Sequence, residues 1–164
     1  MSDVPTPALR LPVLTGRAWT FADDLQAADI LPLRFAGLAV GEARTHLFAD
    51  LDGGLAARLT PGDVLVAGQN LGAGPGATAA AAALAAAGIV AVVATTLAPD
   101  FDAAALAAGL APLEVDAPST FHTGQRIRLN LEGGTITNLS SGDRQPIRNL
   151  TEELLDRLRE RLGR

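Results

Sequence analysis

The chain has no cysteine, no lysine and no tyrosine, and only one tryptophan among its 164 residues. Without cysteine it forms no disulfide and offers no thiolate to zinc or to an iron–sulfur cluster, so no cofactor or metal site is expected on this chain. Without lysine it lacks the side chain that grips phosphate in a P-loop. Its 13 basic residues are all arginine, scattered against 18 acids, and the formal net charge is −5. That balance excludes a nucleic-acid partner, which calls for a basic patch. Long apolar runs are also missing. "IVAVVA" is too short to span a bilayer, and "MSDVPTPALRLPVLTG" lacks the basic start and uninterrupted apolar core of a secretory signal. A cytoplasmic protein with no membrane contact is the expectation.

What is present reads as one domain over 1–164, long enough to bury roughly 70% of the surface of its unfolded form. "DVLVAG" and "GIVAVVATT" are short, apolar and β-branched, and bracket a helix-forming stretch from Pro75 to Ala87, the pattern of a β-α-β unit in a parallel sheet. "PDFDAAALAAG" predicts a second helix, started by Pro99 and Asp100, with Asp102 suited to its positive end and Gly109 as its stop. The strand "APLEV" follows, making three parallel strands. "RIRLNLEGGTITNL" alternates as a β-hairpin. "ADILPLRF" holds Pro32 inside an apolar run and reads as an edge or a turn. The tail predicts an amphipathic helix over 150–162. Asn149 with Glu152 forms a capping-box pattern, Leu150, Leu154, Leu158 and Leu162 make a stripe turned to the domain in preference to a partner, and Glu153–Arg157 and Glu160–Arg164 are helix-favouring pairs.

The stretch "GAGPGATAA", 72 to 80, leads from strand to helix. Such a loop presents unpaired backbone N–H groups at the positive end of a helix, the physics of many phosphate and carboxylate sites. A dinucleotide fingerprint is not met, because "QNL" separates the glycines from the strand and the next strand ends in Thr95 and Thr96 rather than an acid. Pro75 suits the first position of the helix, with Gly74 before it. Arg34 could touch a carboxylate or sit in a surface ion pair. His46 and His122 have no ligand-spaced partner. Asp23 and Asp24 suit a turn.

"GRAWTFADDLQAADILPLRF", "GDVLVAGQNLGAGPGATAAAAALAAAGIVAVVATTLAPDF" and "AAGLAPLEV" together resemble, over nearly the whole chain, the small subunit of 3-isopropylmalate dehydratase, the aconitase-type swivel domain. The resemblance implies an α/β fold, a three-layer β/β/α swivelling domain with a central, partly parallel sheet. It implies a large-subunit partner carrying a [4Fe–4S] cluster, with which the family moves a hydroxyl between adjacent carbons in a hydro-lyase reaction of leucine biosynthesis type. Self-association into a homo-oligomer is left open.

The family's loop reads Gly-x-Gly-Ser-Ser-Arg-Glu-His, its first serine a base and its arginine a carboxylate clamp. Here those positions hold Pro75, Gly76, Ala77, Thr78 and Ala79. The family's Asp-Thr-Asp lies over Gln26, Ala27 and Ala28, and an arginine and an asparagine lie over Pro99 and Ala104. No catalytic residue is therefore expected. Gly74, Gly76, Ala77, Thr78 and Arg34 remain as substrate-binding candidates. Three functions follow: a catalytically degenerate homologue beside a large subunit, a subunit whose base and clamp come from that partner, or a small-molecule module binding an anion through the backbone N–H groups of Gly76, Ala77 and Thr78.

Overall fold

A computed structural model describes residues 11–162. Seven strands form one sheet in the order β4-β3-β2-β1-β5-β6-β7. β1 (Leu14–Thr20), β2 (Val64–Val66), β3 (Ala91–Ala94) and β4 (Ala111–Glu114) run parallel; β5 (Arg126–Asn130), β6 (Thr135–Asn138) and β7 (Arg144–Pro146) pair antiparallel. β1 joins the halves, with Ala18 opposite Val64 of β2 and Gly16 opposite Ile127 of β5.

The alternation of side chains along the strands separates two cores. Trp19, Leu65, Val92 and Ala94 face one, shared with the helices. Ala18, Val64, Val66, Val93 and Leu113 face the other, where they meet Ile127, Leu129 and Ile136 of the antiparallel half. The sheet thus curls so that its antiparallel half covers the back of its parallel half, giving the expected α/β class and β/β/α layers. α1 (Ala27–Ile30), α2 (Val40–Ala43) and α3 (Leu55–Arg58) are single turns beside α4 (Ala77–Ala86) and α5 (Pro99–Ala108), which cover the front. Alanines at 80, 81, 83 and 105 are fully buried there, so close approach replaces a bulky apolar face. α6 (Glu152–Leu162) packs on the second core, with Leu158 buried and Leu150, Leu154 and Leu155 partly so.

Several expectations change in detail. The parallel strands number four, because β1 joins the three expected ones. α4 starts at Ala77, not Pro75, because Gly76 is its N-cap in a left-handed conformation (φ +93°) that ends the turn one residue after the proline. Asn149 does not cap α6. Its Oδ1 accepts the Glu114 N–H at 2.9 Å and its amide donates to the Pro112 carbonyl at 3.0 Å, so it closes the free edge of β4. Thr151 caps instead, its hydroxyl accepting the Leu154 N–H at 3.1 Å. The Glu153–Arg157 pair forms at 2.9 Å; the Glu160–Arg164 pair lies outside the described residues. Of the edge or turn expected at Pro32, the turn is found, a 3-10 turn (Leu33–Phe35).

One buried polar cluster locks β1 to the start of β2. Asp63, only 2% exposed, accepts hydrogen bonds from Trp19 Nε1 (2.7 Å), the Thr60 N–H (2.8 Å) and hydroxyl (2.9 Å), and Arg17 (3.3 Å). Burial opposes ionisation of this carboxyl, but the bonds from Thr60, Trp19 and Arg17 together outweigh it and hold it below the ordinary aspartate range. A depressed folded-state value means that the stability it contributes is present above the unfolded aspartate value, about 3.9, and is lost as pH falls through the folded one. Replacing the carboxylate strands several buried donors at once. Asp63→Ala should lower unfolding stability by about 3 kcal/mol in denaturant titrations at neutral pH, and the gap between variant and parent should narrow on acidification below about pH 4.

Candidate functional site

The glycine-rich loop leaves β2 and is strapped on both sides. Leu71 donates its N–H to the Thr96 carbonyl and accepts from the Ala98 N–H at 3.0 and 2.9 Å, on the exit of β3. Gly72 donates to the Leu25 carbonyl at 2.7 Å and Ala73 accepts from the Ala27 N–H at 2.9 Å, on the exit of β1. Gly72, Gly74 and Gly76 all have left-handed φ, between +84° and +93°, where L-residues are strained. Space also excludes a side chain at Gly72, while at Gly76 the neighbour is the end of the half-exposed Leu33 side chain, which can move. A Cβ on Gly72 would stand 2.1 Å from the ring of Phe101, and one on Gly76 2.8 Å from Leu33 Cδ2.

The loop and the first turns of α4 and α5 enclose an open cleft of about 680 Å³, lined by Gly74 to Ala79 and by Asp100, Ala103 and Ala104. Positions 75 to 79 and 104, far apart in the chain, therefore share one surface. Gln26 is bridged to Ala73 beside it, and its Oε1 lies 3.1 Å from where a Cβ on Gly74 would stand. Ala27 is buried and Ala28 half-buried. Pro99 is the first residue of α5. Arg34 does not line the cleft; its guanidinium forms an exposed two-bond pair with Asp50 at 2.7 and 2.9 Å and lies over the Phe35 ring. The Asp50 hydrogen bonds hold Arg34 fully protonated and keep the Asp50 carboxyl below its ordinary value. His46 stacks on Phe35 at 3.9 Å, and His122 is exposed elsewhere.

Asp100 is the one charged side chain among the lining residues and Thr78 the one hydroxyl. Sequence reading placed Asp100 only as a helix starter. The signal for more was available, since the first turn after a parallel strand is where α/β sheets set ligand-facing residues. The first turn of α4 offers backbone N–H groups with no intrahelical acceptor, but Asp100 opposes an anion placed before them. No cation stands at position 77 and no proton acceptor at 75 or 76.

Asp102 lies in the first turn of α5, at the helix's positive end as expected. Burial, with a smaller contribution from the Glu114 carboxylate, raises its carboxyl above the ordinary value. Glu114 is held in place by the Leu97 N–H at 2.9 Å.

No protein-family model matches the chain. Individual proteins do. The chain is 33% identical over 147 residues to the 3-isopropylmalate dehydratase small subunit of Nautilia profundicola, covering 87% of this chain and 89% of that one. It is 35% identical over 124 residues to the homoaconitase small subunit of Thermus thermophilus, covering 74% and 76%. The crystal structure of 3-isopropylmalate dehydratase from Methanocaldococcus jannaschii matches with a TM-score of 0.81 at 26% identity, over 85% and 84% of the two chains.

Two outcomes test this geometry. Gly76→Ser should cost about 1–3 kcal/mol in thermal or denaturant unfolding, from the left-handed φ and displacement of Leu33. Glu114→Gln should bring the Asp102 titration, followed by carboxyl-carbon NMR, only part of the way down, because burial is the larger cause.

Proposed function

This chain belongs to the family of 3-isopropylmalate dehydratase and homoaconitase small subunits, and from that membership we propose that it is a catalytically degenerate swivel subunit, a single domain that docks on an aconitase-type large subunit without supplying its usual base and clamp. The observation that carries this reading is the composition of the loop cleft. Where the resemblance puts a serine base and a carboxylate-binding arginine stand Pro75, Gly76 and Ala77, on a surface whose only charge is Asp100. A positioned base contributes about 10² to 10⁴ in rate, and a lost clamp adds misplacement of the reacting atoms.

The family chemistry calls for a [4Fe–4S] cluster. The donor set of this chain does not fit one: it has no cysteine, and among the described residues no three His, Asp or Glu side chains gather to hold a metal ion. In this reading the cluster and its Lewis-acid chemistry reside on the large subunit. The same reading places the pair in the cytoplasm and in a hydro-lyase step of leucine-biosynthesis type. Among the described residues no helix is long and apolar enough to cross a membrane. The rival reading, an anion-binding module at the start of α4, has its backbone donors but must overcome Asp100.

Co-expression with the aconitase-type large subunit of the same cell tests the proposal. A complex stable through gel filtration is expected, with 3-isopropylmalate turnover reduced about 10²-fold or more relative to a pairing with an intact small subunit. Turnover within tenfold of that pairing, or no complex at micromolar concentrations, would overturn it.

A further inference from the structure

A second recess, of about 590 Å³, lies at the carboxyl ends of the parallel strands. Its walls are the segments leaving β1 at 20–23 and β2 at 66–69, Thr95 after β3, and the connection from β4 to β5 at 116–122, and it shares no residue with the loop cleft. Strand carboxyl ends are where α/β sheets gather ligand-binding loops, and the volume suits a small molecule. The floor is apolar: Val66, Ala67 and Phe121 are buried.

Two carboxylates reach this recess, and their surroundings differ. Asp116 is already neutralised, its Oδ1 3.0 Å from Arg148 Nε, and the same guanidinium also donates to the Thr95 carbonyl. Asp23 has no ion pair among the described residues. Its Oδ1 accepts the Gln69 N–H at 2.7 Å, and it lies so close over Gly68 that a Cβ there would stand 1.7 Å from it. The β2 exit therefore has no side chain at 68 and a backbone donor at 69, which together seat one uncompensated carboxylate at the wall of an apolar-floored crevice. Ser119 and His122, both exposed, line the same recess and supply further hydrogen-bonding groups.

We propose that this crevice binds a small primary amine, its ammonium on Asp23, its hydrocarbon over Phe121, and a hydroxyl or carbonyl further along within reach of Ser119 or His122. An anion is disfavoured, because Arg148, the cation that the described residues place nearby, is paired with Asp116. An uncharged analogue forfeits the charge-assisted bond that distinguishes this wall.

The full chain, labelled with ¹⁵N, is titrated with 4-amino-1-butanol, and in parallel with butan-1-ol and with butanoate. Saturable shifts are expected for the amine at the amides of Asp23, Gln69, Thr95 and Phe121, with a Kd of about millimolar. Asp23→Asn keeps an oxygen to accept the Gln69 N–H while removing the charge, and should weaken the amine about tenfold or more; Asp100→Asn, in the other cleft, should not. Equal responses to butan-1-ol or butanoate, no saturable shift at those amides, or shifts centred on Thr78 and Asp100 would each overturn the proposal. Should Asp23→Asn fail to fold, the map on the parent chain decides between the same outcomes.

Discussion

The attachment of β1 to β2 governs where everything else sits. β1 is the strand on which the sheet changes sense, parallel to β2 on one side and antiparallel to β5 on the other. Its register is fixed twice. Asp63, buried at the head of β2, gathers the indole of Trp19 and the guanidinium of Arg17 onto one carboxylate, and Gly16 lets the strands approach so closely that a Cβ there would stand 1.9 Å from the Gly62 carbonyl. A one-residue slip would turn Trp19 and Ala18 to the wrong cores. With that register set, the exits of β1, β2 and β3 come together, and the loops that build both recesses are pinned to one another.

Those loops pair rigid backbone with modest side chains. Leu71 bonds to both Thr96 and Ala98, Gly72 to Leu25, and Ala73 to Ala27. The segment from 71 to 73 is therefore a short bridge between the β1 and β3 exits rather than a free flap. The side chains that the residues after it present to the cleft are Pro75, Ala77, Thr78 and Ala79, which have almost no capacity to bind charge or move a proton. In the proposed reading the shape of a family site persists without its base and clamp.

How much of this was legible from sequence follows the physics of each signal. β2, β3 and the β5–β6 hairpin announce themselves through runs of β-branched residues and strict alternation, signals local to each strand. The start of α4 did not, because it depends on the φ of Gly76, and both Pro75 and Gly76 are plausible near a helix start. Asn149 and Thr151 both have capping side chains, and the choice between them was made by a distant partner, the unpaired edge of β4 at Pro112 and Glu114. β7 is three residues with no apolar alternation, and α2 and α3 are single turns held by the first core. The convergence of 75–79 with 104 was reachable only through the resemblance. Asp100 was signalled by its place in the first turn after a parallel strand, whereas the crevice at Asp23 was not, since it gains its meaning from neighbours on other strands.

The survival of the loop glycines needs no catalytic explanation. Gly72 is required by a left-handed φ and by the ring of Phe101 pressed against its Cα, and Gly76 by its φ and by Leu33. The Phe101 contact belongs to the core that holds α4 and α5 on the sheet, whereas Leu33 is half-exposed and the demand at Gly76 is chiefly its left-handed φ. Of the side chains facing the cleft, Ala77 is buried and Ala79 and Ala104 pack against the same core, while Pro75 and Thr78 are exposed. Under the proposed reading, a single substitution would not supply an anion site. An arginine placed at position 77 would open onto the same cleft as Asp100, where the two opposite charges would attract one another. A carboxylate ligand would then compete with a resident carboxylate for its own clamp, so recovery of an anion site requires changes on α4 and α5 together.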